Sequence, residues 1–375
     1  MKIYQCVHKY PPHIPAFERR WGIGDHSTFA EIHDALLRDG YASVYRLVPP
    51  LECSGDNVFF TVWNYERLQF TWARENGVEN LDLDEIRLKQ IEKLKPDVVY
   101  DFSYFISPKF AELVKSRLNV LTVCWYAFVN SKEPPIDIPY NGLLSLHRPY
   151  IDFWKSKGIQ ALELQPAIED SWSKLPFKGF KSRKHDLLFY GQINTGLYDD
   201  RTNVIMDALQ AAKSLDIKFT CLAQYRPQYW RPGGLLARFG LNISMLQKWP
   251  SRELSRSLGD PKYGRDLYDE IRNSKIVLNT FGDFNGNFKS NMRIFEAIGN
   301  GSILLSPKGV YPDNLIENKD YIPFESAKEL EGSVREIFED ISTAENFCAT
   351  AQRRVFSNFS KKEQYTRFCE FIEKL

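Results

Sequence analysis

The chain has 375 residues, too many for one ordinary domain, and its length sets an expectation of two domains of about 150–200 residues each. Hydrophobic residues at 43% and charged residues at 26% exclude a disordered or low-complexity chain. A formal net charge of +1 argues against a nucleic-acid partner as much as against an acidic one. The six cysteines (Cys6, Cys53, Cys124, Cys221, Cys348 and Cys369) form no C-x-x-C pair, and several lie in apolar runs, so they read as reduced core residues.

In chain order, "MKIYQCV" reads as a strand that meets "HKYPPHIP", not as the basic and apolar segments of a signal peptide. "STFAEIHDALLRDG" follows as a helix, with Ser27 as N-cap and Gly40 as stop. "YASVYRLV", "DNVFFTVW", the helix "LDEIRLKQIEKLKP", and the runs "DVVYDFS", "NVLTVCWYAF", "NGLLSL" and "IQALELQPAI" continue a strand–helix alternation. A linker is expected at 166–184, where Pro166, Pro176 and "KGFKSRK" fall. A second series begins with "HDLLFYG" at 185 and runs through "KIVLNTF", "SILLSP", "PDNLIE", a short helix, and "DYIPF" to a helix from 326. The fold class expected is α/β, with two doubly wound Rossmann-like domains (1–165 and 185–358) facing a central cleft, where open α/β sheets bind ligands. The helix at 359–375 is expected to pack back on the first domain. No stretch reaches the roughly 18 apolar residues of a membrane span, so the expected location is cytoplasmic, at most peripheral on the inner membrane face.

"NFKSNMRIFEAIGNG" at 287–301 carries the most chemistry. Ser290 or Asn291 can cap a short helix and Asn300-Gly301 can end it. Met292, Ile294, Phe295 and Ile298 cover one arc, with Arg293 and Glu296 on the other side. A helix N-terminus is an anion site, Lys289 and Arg293 would add cations there, and Glu296 could accept hydrogen bonds from a ribose diol. The competing reading is an Arg293–Glu296 surface pair worth about 0.2–0.5 kcal/mol.

The run from "YDEIRNSKIVLNTFGD" through "NMRIFEAIGNGSILLSPKGVYPDNLIENKDYIPFESAKELEGSVREIF" resembles the donor domain of GT-B glycosyltransferases, in particular the CgeB-like and group 1 families. The resemblance is specific over about 264–342, moderate over 186–223, and architectural only over 1–165. It implies a nucleotide-sugar co-substrate without a further cofactor, Glu296 as the ribose-binding glutamate, and Asn291 and Arg293 near the diphosphate. It also implies that Gly191 lets the backbone approach the donor and that Arg201 is a phosphate ligand. The large retaining family of this fold carries a second glutamate eight residues before the ribose-binding one; here Phe288 stands there, so that contact is missing or is supplied by a neighbour such as Asp283 or Asn285. The implied activity is transfer of a sugar to a carbohydrate or lipid-linked glycan acceptor, in bacterial surface polysaccharide or glycoconjugate synthesis. The alternatives are a silent GT-B-like structural or sugar-binding protein, or a nucleotide-sugar epimerase.

For a general base, Asp25 lies in "WGIGDHSTFAEI" and Asp101 at the end of "DVVYD". Each has a bland alternative, a turn residue or a loop partner. His13 and His26, with His8, are acceptor-side candidates. Asp82-Leu-Asp84 imitates a metal-binding pair, but a helix cap at Asp84 explains it better, and no metal is expected. "GIG" at 22–24 lacks the dinucleotide spacing. Residues 226–256, with six Arg/Lys, one acid (Glu253) and interleaved Tyr229, Trp230, Phe239 and Trp249, could touch an anionic membrane surface, bind a lipid-linked or phosphorylated acceptor, or be an ordinary surface insertion with buried aromatics.

Overall fold

The computed structural model describes residues 1–78, 82–104, 107–126, 133–194, 199–226, 251–282 and 286–375. The chain divides into two compact units, the first of residues 1–174, 263–265 and 355–375, the second of 175–262 and 266–354.

The first unit holds β1 (Lys2–Val7), β2 (Asn57–Val62), β3 (Val98–Asp101), β4 (Leu121–Trp125), β5 (Gly142–Ser145) and β6 (Ala161–Glu163), in the order β2-β1-β3-β4-β5-β6. Every pairing is parallel. A sheet covered on both faces needs apolar runs instead of alternation, and "VVYD" and "LLS" are buried at every position. The strand order reverses between β1 and β3, which puts the switch point at the carboxyl ends of those two strands.

The second unit holds β7 (His185–Asn194), β8 (Phe219–Arg226), β9 (Leu258–Gly259), β10 (Ser274–Leu278), β11 (Ile303–Pro307) and β12 (Ile322–Phe324), in the order β12-β11-β10-β7-β8-β9. These pairings are parallel too, and the order reverses between β7 and β10.

Residues 355–375 belong to the first unit. Tyr365, Phe368, Phe371 and Ile372 of the helix Lys361–Ile372 share a core with Ile3, Val98, Tyr100, Val123 and Leu144. Lys361 is buried beside them, and its Nζ donates to the carbonyls of Ser43 and Arg46 (2.8 Å to the latter). Burial pulls the Lys361 amine down to about 8.

Several local expectations are corrected. The helix Phe29–Asp39 is capped by Thr28, not Ser27, because Thr28 and Glu31 form a reciprocal capping box. Asp82, not Asp84, caps Leu83–Leu94, accepting from Glu85 N at 2.9 Å. Asp84 instead accepts from Arg87 and Ser107. "YASVYRLV" is no strand: Ser43–Tyr45 is a 3-10 turn entered through Ala42 at φ 56. "PDNLIE" forms turns, not a helix. Helices His13–Trp21, Glu66–Glu75 and Pro108–Arg117 are additional to the expected ones.

Candidate functional site

The switch point of the second unit gathers polar groups from three separate stretches of the chain. β7 contributes Tyr190 and Gly191, the residues just after β10 contribute Asn279 and Thr280, and the helix Met292–Gly299 contributes Arg293 and Glu296. Asn291 caps that helix, accepting from Ile294 N at 3.3 Å, while its amide donates to Asn279 Oδ1 at 2.8 Å and to the Thr280 carbonyl at 3.1 Å. Asn279 in turn donates to Ser306 Oγ at 3.0 Å, which pins the start of the helix to the ends of β10 and β11.

The helix is buried from Arg293 to Gly299, so the surface-pair reading of Arg293 and Glu296 is overturned. Arg293 is no open cation. Its Nη2 donates to the Tyr190 carbonyl at 2.7 Å, and Nη1 to Asn279 Oδ1 at 2.8 Å and the Thr280 carbonyl at 3.1 Å. The guanidinium also lies 5.0 Å from the ring centres of Phe189 and Tyr190. Gly191 makes this possible: at φ +136, a Cβ there would sit 2.7 Å from Arg293 Nη2. On the side a Cβ would take, Gly191 faces the Arg293 guanidinium.

Glu296 is 1% exposed. Tyr190 OH donates to its Oε2 at 2.8 Å. Burial pushes the carboxyl up to about 7, against the opposing pull of the Tyr190 hydrogen bond and the Arg293 charge. Its Oε1 has no hydrogen-bond partner among the described residues, and neither do Thr280 Oγ1 and Arg293 Nε. Leaving a buried polar atom unpaired costs about 1–3 kcal/mol, and each of these three atoms could still exchange a hydrogen bond with a ligand.

Around this centre, Lys289 is half-buried, donates from Nζ to the Gly286 carbonyl at 2.7 Å, and lies 5.3 Å from the centre of the Phe281 ring. Desolvation lowers its pKa, with Asp200 acting in the other direction. Arg201, in the first turn of Asp199–Ser214, donates to the Gln192 carbonyl at 3.2 Å. Asp283 and Asn285 lie outside the described residues, as do 227–250 of the basic-aromatic segment; after them Ser251 caps a helix Arg252–Ser257.

The first-unit candidates fare differently. Asp101 is not an available base. It is fully buried and accepts from Arg87 Nη2 at 2.8 Å, from Ser103 N and Oγ at 2.9 Å each, and from Tyr140 OH. Asp25 is 89% exposed and paired with Arg67 at 2.6 Å, which holds its carboxyl below the usual range and weakens it as a base. Its neighbours Gly22 and Gly24 do face open space, and His26 is exposed. His13 is buried, stacked 5.3 Å from Tyr263 and tilted 5.0 Å from Tyr41, with Nε2 3.4 Å from Asp39 Oδ2. Burial, with the Lys9 charge adding to it, drives His13 down to about 2, so it is a neutral core residue. His8 is partly buried with its pKa lowered by desolvation.

Tyr190, Asn279 and Thr280 were missed, although each stands where an apolar run turns polar: "LLFYG" and "IVLNTF". Lys9 was missed too. It is fully buried, its Nζ lies 3.3 Å from the centre of the Phe17 ring, and burial brings it down to about 7. Among the described residues no group of three or more His, Cys, Asp or Glu could hold a metal ion, and no helix is long and apolar enough to cross a membrane.

Residues 201–370 match the family described as glycosyl transferase-like. No curated protein matches the chain significantly. Among solved structures, a glycosyltransferase from Rickettsia africae is 11% identical at a TM-score of 0.55, over 100% of this chain and 98% of that one. A sucrose-phosphate synthase from Thermosynechococcus elongatus is 11% identical at 0.53, over 100% and 98%. Anabaena HepE in complex with UDP and glucose is 12% identical at 0.53, over 100% of both chains. At these identities the likeness establishes the fold, two α/β domains of the GT-B type.

Proposed function

We infer that this chain, a glycosyltransferase of GT-B fold, binds a nucleoside diphosphate sugar in its second unit and passes the glycosyl group to a hydroxyl of a carbohydrate or lipid-linked glycan. The observation that carries the reading is Glu296: a buried carboxyl at a sheet switch point, held at one oxygen by Tyr190 and without a partner among the described residues at the other. A vicinal diol donates to a carboxylate in the way such an oxygen needs. In the reaction the acceptor oxygen bonds to the anomeric carbon, the bond from that carbon to the diphosphate oxygen breaks, and the diphosphate leaves with the electron pair. The acceptor proton passes to a base or to the leaving phosphate. Negative charge therefore grows on the diphosphate, opposite the start of the helix Met292–Gly299 and near Lys289. The Anabaena relative is described in complexes with UDP and glucose and with UDP-glucose, which makes uridine the first nucleotide to test. The S. aureus TarM structure, described in complex with fondaparinux, α-GlcNAc-glycerol and UDP, supports the same choice of uridine.

The test is binding of UDP-glucose, UDP-N-acetylglucosamine, GDP-mannose and ADP-glucose by calorimetry, in the native chain and in Glu296→Gln. Glutamine keeps the shape and still accepts from Tyr190, whereas alanine would leave a buried hydroxyl unpaired. Glu296→Gln is expected to weaken the preferred donor at least tenfold, about 1.4 kcal/mol, with the melting temperature unchanged. Binding of none of the four by the native chain would overturn the donor reading, and equal affinity in the variant would overturn the role of Glu296.

Transfer is expected to need no divalent metal, since the helix end and Lys289 supply the positive charge at the diphosphate. Turnover should be the same in EDTA as in magnesium. Activity abolished by EDTA and restored by manganese or magnesium would contradict this.

A further inference from the structure

Tyr190 touches both members of the Arg293–Glu296 pair through different atoms. Its carbonyl accepts from Arg293 Nη2 at 2.7 Å, and its hydroxyl donates to Glu296 Oε2 at 2.8 Å. It is 6% exposed, and its ring lies under the Arg293 guanidinium at 5.0 Å. A carboxyl on a short helix has free rotation about three bonds unless something holds it, and here one oxygen is held while the other, Oε1, is buried with no partner among the described residues.

We propose that Tyr190 is a positioning residue for the donor site: its hydroxyl holds Glu296 in one orientation, as a charged acceptor, with Oε1 turned over to a hydroxyl of the ligand. This rests on the nucleotide-sugar reading for its functional half, and on geometry alone for the other half. The charged and titratable groups acting on Glu296 are Tyr190 from β7 and Arg293 from the same helix, and Tyr268 of the helix Gly264–Arg272 acts in turn on Tyr190. Burial favours the neutral form of Glu296, while the Tyr190 hydrogen bond and the Arg293 charge favour the carboxylate. The balance falls at about 7.

The sign of the effect follows. Protonated Glu296 offers a diol one acceptor fewer, so donor affinity rises with pH as Glu296 ionises. Removing the Tyr190 hydroxyl leaves burial less opposed, so ionisation is delayed to higher pH. A hydrogen bond to a charged group carries enough free energy for a shift of about one pH unit. Tyr190→Phe keeps the ring and the carbonyl that Arg293 needs, so the variant isolates the hydroxyl.

The experiment has two readouts. The first is the titration of Glu296 in the ligand-free protein, followed by carbon NMR of labelled glutamate carboxyls, its signal identified by disappearance in Glu296→Gln. The midpoint is expected near 7 in the native chain and about one unit higher in Tyr190→Phe. The second is affinity for UDP-glucose, whose diphosphate diester does not titrate in this range. Tyr190→Phe should bind about fivefold more weakly at about pH 7 and nearly as well as the native chain at about pH 8.5. An unchanged midpoint, or an equal loss of affinity at both pH values, would overturn the proposal. A shifted midpoint combined with normal UDP-glucose binding in Glu296→Gln would uphold the control of Glu296 by Tyr190 and remove the nucleotide reading instead.

Discussion

Arg87→Met is expected to destabilise the first unit by about 3–5 kcal/mol, the cost of breaking a buried ion pair from one side. Arg87 and Asp101 are both fully buried, 2.8 Å apart, and the guanidinium lies 3.3 Å from the centre of the Phe110 ring. The carboxylate keeps its bonds from Ser103 and Tyr140 in the variant, but its charge loses its counterion in a place water does not reach. Urea unfolding followed by fluorescence measures the loss; the first unit should unfold before the second, giving two transitions. Asp101→Asn separates a structural from a catalytic aspartate. A lowered melting temperature with turnover per folded molecule retained is the expected result, and a lost kcat at unchanged stability would restore Asp101 as a base.

Gly191→Ala should damage the second unit twice over. At φ +136 any side chain is strained, by about 1–3 kcal/mol. The new methyl would also meet Arg293 Nη2 at 2.7 Å, and the guanidinium can only yield by giving up its bonds to the Tyr190 carbonyl or to Asn279. The side chain that helps keep Glu296 charged would then shift. A stability loss of about 2 kcal/mol or more is expected, together with at least a tenfold loss of donor affinity. Calorimetric titration of the folded fraction measures the second effect independently of the first. Native-like affinity would mean that Arg293 can be displaced without consequence for the site.

The parallel sheets were legible because their strands are unbroken apolar runs between turn signals, and "HDLLFYG", "KIVLNTF" and "SILLSP" all became strands of one sheet. The motif helix was legible because Asn291 and Asn300-Gly301 bracket it. The environment of its polar residues was not. A wheel separates apolar from polar arcs and so places Arg293 and Glu296 at a surface, whereas here β7 and the chain after β10 cover that arc and supply partners for it. Those partners include backbone carbonyls of Tyr190 and Thr280, which carry no sequence signal at all. Asp101 misled for the same reason: a carboxylate at a strand end looks available until Arg87, fourteen positions earlier, is seen to reach it. Thr28 and Ser27 are both good caps, and only the reciprocal bond with Glu31 decides between them.

The helix Lys361–Ile372 has a bearing on how the polypeptide is made. Its four aromatic and aliphatic anchors sit in the same core as Ile3 and Val98, and Lys361 closes off the carbonyls of Ser43 and Arg46. On the ribosome, β1 to β6 emerge long before this helix, with the whole second unit in between. At about 5–20 residues per second, the wait is about 10–40 s. During it the core around Ile3, Val98, Tyr100, Val123 and Leu144 lacks these four side chains, while the second unit, whose own segments are nearly contiguous, can already be complete. Vectorial synthesis thus reverses the order of the units: the part made first is the part finished last, and the interval is when a chaperone has something to hold.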